Sequence, residues 1–150
     1  DRIRKIYSAY FKAPGGPAVK RRRGRSPTRI TRFVNSASRQ SEATVLACLF
    51  LYCEAATLHD GRAARATDAD RVALGQRLCQ AFEAYCGLHP DPRLSFELAW
   101  NLYHSLVESH ELFFAQCDLC EGMYVQDAYA LDYRRCPFCE IKDQVRTHRA

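Results

Sequence analysis

Cys117-Asp-Leu-Cys120 and Cys136-Pro-Phe-Cys139 are two CxxC pairs separated by fifteen residues, and this spacing decides how the C-terminal end of the chain folds. A CxxC turn places two thiolates on one side of a tight knuckle. Two knuckles joined by a short hairpin supply the four sulfurs of a tetrahedral ion, with Zn–S near ~2.3 Å. Gly122 follows Cys120 where the knuckle turns back, so a positive φ is expected there. Pro137 stiffens the second turn. Met123-Tyr124-Val125 lies between the knuckles and Leu112-Phe113-Phe114 before them, both strand-like runs. The pattern predicts a zinc-ribbon-like module with one structural Zn2+ per chain on Cys117, Cys120, Cys136 and Cys139. Four thiolates close the shell and leave no position for a water, which argues against an enzyme.

Other chemistries use similar cysteines. Cys-Pro-Phe-Cys resembles a glutaredoxin-type redox pair, which belongs after a strand and at the start of a helix in a βαβ unit; no such unit is expected here. A rubredoxin-like iron site uses the same knuckles, and spacing alone does not separate iron from zinc. Two structural disulfides would suit a secreted chain. Cys48, Cys53, Cys79 and Cys86 fall within apolar helical patterns and are expected as small buried hydrophobes. Four buried thiols and four metal thiolates fit a reducing cytoplasm.

At 150 residues with 47% hydrophobic content, the chain has enough apolar surface for a real core. No stretch reaches the ~18 apolar residues of a membrane span, and the basic start has no apolar region of the signal-peptide kind. The expectation is a cytoplasmic protein without a membrane partner. The net charge of +5 conceals an asymmetry. Residues 1–39 hold twelve Lys/Arg and one acid, a balance of +11, while residues 40–150 hold ten Lys/Arg and sixteen acids, a balance of −6. Such segregation concerns partners rather than fold. A polyanion suits the first third, and the acidic remainder suits another protein.

Ile3, Ile6, Tyr7, Tyr10 and Phe11 recur at helical spacing, and Ala13-Pro-Gly-Gly-Pro17 stops that helix. Lys20-Arg21-Arg22-Arg23-Gly24-Arg25 is too polar and self-repelling to pack. Ser26-Pro27 restarts a helix with Ile30, Phe33 and Val34 on its apolar side. Residues 41–57 are apolar nearly all round, as in a helix central to a core or an interface. His59-Asp-Gly-Arg62 reads as a linker, Thr67 as the cap of a helix to about Tyr85, and Asp91-Pro92 as the start of another carrying Leu98, Leu102 and Leu106. His104 and His110 are expected at the surface or behind the ligands, and Glu108 with Glu111 as a solvated pair. The predicted fold is mainly α, with a helical domain over 1–110 and a small four-cysteine zinc-binding module over 111–150.

Basic runs are often solvated loops, but here the charge extends onto both flanking helices as a patch. Arg2, Arg4, Lys5, Lys20, Arg21, Arg22, Arg23, Arg25, Arg29 and Arg32 are the candidate DNA contacts. Arg23-Gly-Arg25 is also of the kind that enters a narrow minor groove.

Arg2-Ile-Arg-Lys-Ile-Tyr7, Ala99-Trp100, Val107-Glu-Ser109 and the four cysteines, taken in that order, resemble the FlhC family. This is the zinc-containing subunit of the bacterial FlhD–FlhC transcriptional activator of flagellar genes. The resemblance runs over most of the chain. It implies a cytoplasmic DNA-binding activator that works as a hetero-oligomer with FlhD and helps RNA polymerase at promoters. It also implies zinc ligands at Cys117, Cys120, Cys136 and Cys139. The arginine cluster stands where the family has a Ser-Pro-Pro-Lys-Gly-like segment, and one extra residue lies between Ala99-Trp100 and Val107-Glu-Ser109. A relative that switches on conjugation genes of a mobile element fits these residues as well as a flagellar regulator. The contrasting class is a zinc-stabilised protein-interaction module without DNA contact.

Overall fold

The structure, a computed structural model, describes residues 30–131 and 134–147. The expected helix over Ile3–Phe11, the Lys20–Arg25 run and the Ser26-Pro27 helix start lie outside the described residues.

The expectation of a mainly α fold is overturned. Helices account for 53% of the described residues, but two small antiparallel sheets of two strands each make the architecture an α+β mix. The order is α1 (Thr31–Val34), α2 (Ala37–Tyr52), β1 (Ala56–His59), β2 (Arg62–Arg65), α3 (Arg71–Leu88), α4 (Phe96–Val107), β3 (Leu112–Gln116), β4 (Met123–Asp127) and α5 (Pro137–Thr147). Among the described residues, no helix is long and apolar enough to cross a membrane.

Helix α2 is the hub. It packs against α1, α3, α4, α5, β1 and β4. Its apolar sequence contains two stripes at the same helical spacing. Ala43, Leu46, Ala47 and Phe50 face inward and are buried, and Phe50 meets Tyr103 of α4 edge to face at 5.5 Å. Each large side chain in that stripe contributes about 1.5–3 kcal/mol by burial. Val45, Cys48, Leu49 and Tyr52 form the second stripe, and Tyr52 is 84% exposed. Polar side chains on α2 then tie the far hairpin to it. Thr44 Oγ1 accepts from Val125 N at 3.1 Å, and Gln40 Nε2 donates to Val125 O at 2.9 Å. Residues 30–107 and the β3–β4 hairpin accordingly share one core, which includes Leu112, Phe114 and Val125.

The first sheet sits where the sequence reads as a linker. Asp60 and Gly61 have φ of 50° and 76°, and His59 pairs with Arg62 across them. Two successive positive φ values are what a two-residue type I′ hairpin requires, and Asp-Gly is its favoured sequence. The same turn joins the two hairpins, because Phe114 N donates to Gly61 O at 2.8 Å. A Cβ on Gly61 would meet Phe114 O at 2.7 Å. Gly61→Ala therefore combines left-handed strain with a backbone clash, and a loss of about 2 kcal/mol or more is expected in a denaturant melt. A variant as stable as the parent would show that this turn does not position β3.

Two helix starts also differ from expectation. Asp70, not Thr67, caps α3, accepting from Val72 N at 2.9 Å and Ala73 N at 2.8 Å. Upstream, Asp68 is held out of the helix by Arg77, whose Nη2 lies 2.9 Å from its carboxylate. Ser95, not Asp91, caps α4. The Arg93-Leu94 segment is fixed to the body instead: Glu42 Oε2 accepts from Arg93 N at 3.3 Å, and Tyr85 Oη accepts from Leu94 N at 3.2 Å. Tyr85 itself is fully buried and donates to Glu42 Oε2 at 2.7 Å.

Burial, and then the Glu42 carboxylate, push the Tyr85 hydroxyl up to about 12. An unfolded tyrosine ionises near ~10. The fold thus requires the protonated form, so its contribution is complete below about pH 10 and is lost as pH rises through about 12. Denaturant midpoints should fall over that window, and less steeply in Tyr85→Phe. An equal slope in the two proteins would place the alkaline sensitivity elsewhere.

Candidate metal centre

Each knuckle is shaped by its own backbone. Strand β3 delivers Cys117, whose N–H donates to Gly122 O at 3.0 Å, while Glu121 N donates back to Cys117 O at 2.9 Å. The left-handed residue of this knuckle is Glu121, with φ 58°, and not Gly122 as expected from the sequence. Gly122 serves by its small size, since an added Cβ would lie 3.4 Å from Cys120 Sγ. The second knuckle opens a helix rather than a strand. Pro137 is the first residue of α5, a position where its missing N–H costs nothing. Cys136 O accepts the first helical bond from Glu140 N at 3.2 Å. Arg135 pairs with Asp143 one turn further on, and Asp118 N reaches Arg134 O at 2.9 Å, joining the two knuckles.

The four sulfurs converge. All lie within 4.8 Å of one another, and this is the one group of metal-ligating side chains found among the described residues. Cys120 Sγ is 3.6 Å from Cys136 Sγ, and Cys117 Sγ is 4.0 Å from Cys139 Sγ. A tetrahedron with ~2.3 Å metal–sulfur bonds has edges of about 3.8 Å, between these two values. All eight cysteines are free thiols. Cys117 and Cys136 are each 1% exposed and rest on a small satellite core with Ala115 and Tyr124, while Cys139 is half-buried and Cys120 is exposed.

The electrostatics suit a cation. Burial opposes ionisation of Cys117, but N–H groups of Cys136, Leu119 and Cys120 aimed at its sulfur bring it down to about 6. Cys136 N lies 3.3 Å from that sulfur. Cys139 is pushed up to about 12, first by its hydrogen bonds to Cys136 and Cys120. Four thiols this close cannot all ionise without a positive charge among them. A divalent ion supplies that charge and holds its ligand thiols deprotonated. The donor set can therefore hold a metal ion. Cys136-Pro-Phe-Cys139 does open a helix, as a redox pair would, but β4 before it belongs to an antiparallel hairpin. Its sulfurs also face the first pair.

His104 and His110 are exposed and stand outside this group, the latter with Nδ1 3.1 Å from Leu106 O. Glu108 is exposed and Glu111 half-buried. The remaining cysteines depart from expectation, since Cys48 and Cys79 are exposed and Cys53 and Cys86 are only partly covered. Cys48 lies on the outer stripe of α2, and Cys79 is one position past the inward Leu78. Of the candidate DNA contacts, Arg32 is exposed in the short helix α1. Arg2, Arg4, Lys5, Lys20, Arg21, Arg22, Arg23, Arg25 and Arg29 lie outside the described residues. Among known proteins, no family model matches the chain and no curated protein is a significant sequence match.

Proposed function

We propose that this chain is a DNA-binding transcriptional activator subunit of the FlhC type. It carries one structural zinc on Cys117, Cys120, Cys136 and Cys139, has no catalytic role, and works in the cytoplasm with an FlhD-like subunit and RNA polymerase at promoters. The observation that carries the proposal is the charge split, +11 over residues 1–39 against −6 over the rest. Twelve cations within thirty-nine residues attract a polyanion, and binding to it releases counterions. Zinc is the proposed ion because a closed four-thiolate tetrahedron is the usual structural zinc site; iron fits the same four sulfurs, and elemental analysis separates the two. The regulated genes are flagellar or, on the alternative, conjugation genes of a mobile element.

The partner is supported by the outer stripe of α2. Val45, Cys48, Leu49 and Tyr52, together with Met123 and Phe138, line an apolar groove of about 430 Å³. Tyr52, Met123 and Phe138 are all exposed there. An exposed apolar groove supports the reading that another protein covers it. The groove alone also suits an interaction module without DNA contact, and one experiment separates the two. Duplex binding is measured across a salt series for this chain with and without a co-expressed FlhD-like subunit. Salt-sensitive binding by the assembled complex is expected. A stable complex that ignores DNA at low salt leaves the interaction module.

A further inference from the structure

We propose that Arg32, Arg39 and Arg93 form a pocket that holds a backbone phosphate of duplex DNA. The proposal rests on the DNA-binding function above and adds two contacts, Arg39 and Arg93, that lie outside the basic segment. The three side chains come from three places: the short helix α1, the first turn of α2, and the segment between α3 and α4. They line one depression of about 200 Å³, whose floor is Phe33, Leu94 and Leu98. A water occupies about 30 Å³ of liquid volume, so a tetrahedral phosphate fits with part of its hydration.

The walls are fixed in place. Phe33 is 2% exposed and anchors α1, and Ser36 caps α2 by accepting from Arg39 N at 3.3 Å. Arg93 Nη1 donates to Ser38 Oγ at 2.9 Å, and its Nε lies 3.4 Å from Glu42 Oε1. Glu42 also lines the pocket, but its carboxylate is engaged by Arg93 and by the Tyr85 hydroxyl. Three cations against one carboxylate leave a charge of +2 at this depression. Arg32 and Arg39 are exposed and have no carboxylate partner among the described residues. Two unpaired guanidinium groups lining the same depression as Arg93 are suited to a phosphate, which arginine binds through a planar fork of donors. The sixteen-residue α2 starts at the rim, and its N-terminal partial positive charge acts in the same sense. Arg32 follows Arg25 by seven positions in sequence.

The test uses the full chain in its assembled complex and a short mixed-sequence duplex, titrated over a potassium chloride series. Arg32→Ala/Arg39→Ala is compared with the parent and with Arg21→Ala/Arg22→Ala/Arg23→Ala. Losing one phosphate contact should reduce the slope of log K against log salt by about one unit and weaken binding roughly fivefold near physiological salt, equally for all sequences. Neither arginine makes an ion pair within the described residues, so the thermal midpoint should not move. A double variant with the parent's slope and affinity, while the triple variant is weakened, overturns the pocket and leaves the DNA function standing. A parent complex with no salt-dependent duplex binding overturns both. Inorganic phosphate, exchanged for chloride at constant ionic strength, should leave duplex binding unchanged. Displacement by phosphate that is lost in the double variant makes this a free-phosphate site and overturns the proposal.

Discussion

On the proposed zinc assignment, Cys136→Ser is expected to lower bound zinc from one per chain to a small residue and to unfold the knuckles and α5. Cys136 does more than supply one sulfur. Its N–H donates to Cys117 Sγ at 3.3 Å, its sulfur accepts from Cys139 N at 3.4 Å, and its carbonyl starts α5. Serine preserves the shape but supplies no thiolate, because its hydroxyl does not ionise near neutral pH. For small zinc modules the metal-binding free energy is folding energy, on the order of 10 kcal/mol. Losing most of it exceeds what a satellite core of Ala115, Cys117, Tyr124 and Cys136 can offset. The body should survive, because Leu46, Phe50, Leu78, Tyr85, Leu102 and Tyr103 pack without help from the knuckles. Elemental analysis reports the metal, and amide exchange separates loss of α5 from retention of α2 to α4. Cys120→Ser should cost less, since that cysteine is exposed. Stoichiometric iron, or a Cys117–Cys120 disulfide in protein purified under reducing conditions, defeats the zinc assignment.

The four-cysteine cluster is legible in the sequence because its chemistry is local. A ligand pair three residues apart needs only its own turn, and the two pairs meet once Gln116 pairs with Met123 across the hairpin. The inward stripes of α3 and α4 are equally readable, since Leu74, Leu78, Tyr85, Leu102 and Leu106 repeat at helical spacing and are buried. What escapes is decided at a distance. The strands around Asp60-Gly61 are four residues each and rich in alanine, so their alternation is faint; the turn dipeptide itself is the available signal. Thr67 and Asp91 look like good caps, but Arg77 holds Asp68 in the loop, and Glu42 with Tyr85 fixes the Arg93-Leu94 segment. No local pattern announces that Thr44 will bond to Val125, eighty-one positions away. On α2, two stripes of equal spacing compete for the core, and hydrophobicity alone does not choose between Phe50 and Tyr52. Phe50 lies inward because it meets Tyr103, which is itself fixed by donating to Ala55 O at 3.1 Å.

Alanine at Arg21, Arg22 and Arg23 together is expected to weaken duplex binding at every sequence and to flatten its salt dependence. Each phosphate neutralised contributes a slope of about −0.9 in log K against log salt, so three lost contacts flatten the slope by about two to three units. The effect should exceed that of any single surface charge, because these residues belong to a run of five cations within six positions. Backbone contacts carry no sequence information, so promoter and random duplexes should lose affinity in parallel. Entry of an arginine into a narrow minor groove gives a different signature, with the largest loss at A·T-rich sites. The acidic remainder of the chain, at −6, repels DNA, which makes the basic segment more necessary rather than less. The measurement is binding of the assembled complex to promoter and random duplexes at several salt concentrations. Unchanged affinity together with an unchanged slope in the triple variant would make the run a solvated loop. DNA contact would then have to come from elsewhere, from Arg2, Arg4, Lys5 and Arg29 or from the Arg32, Arg39 and Arg93 pocket.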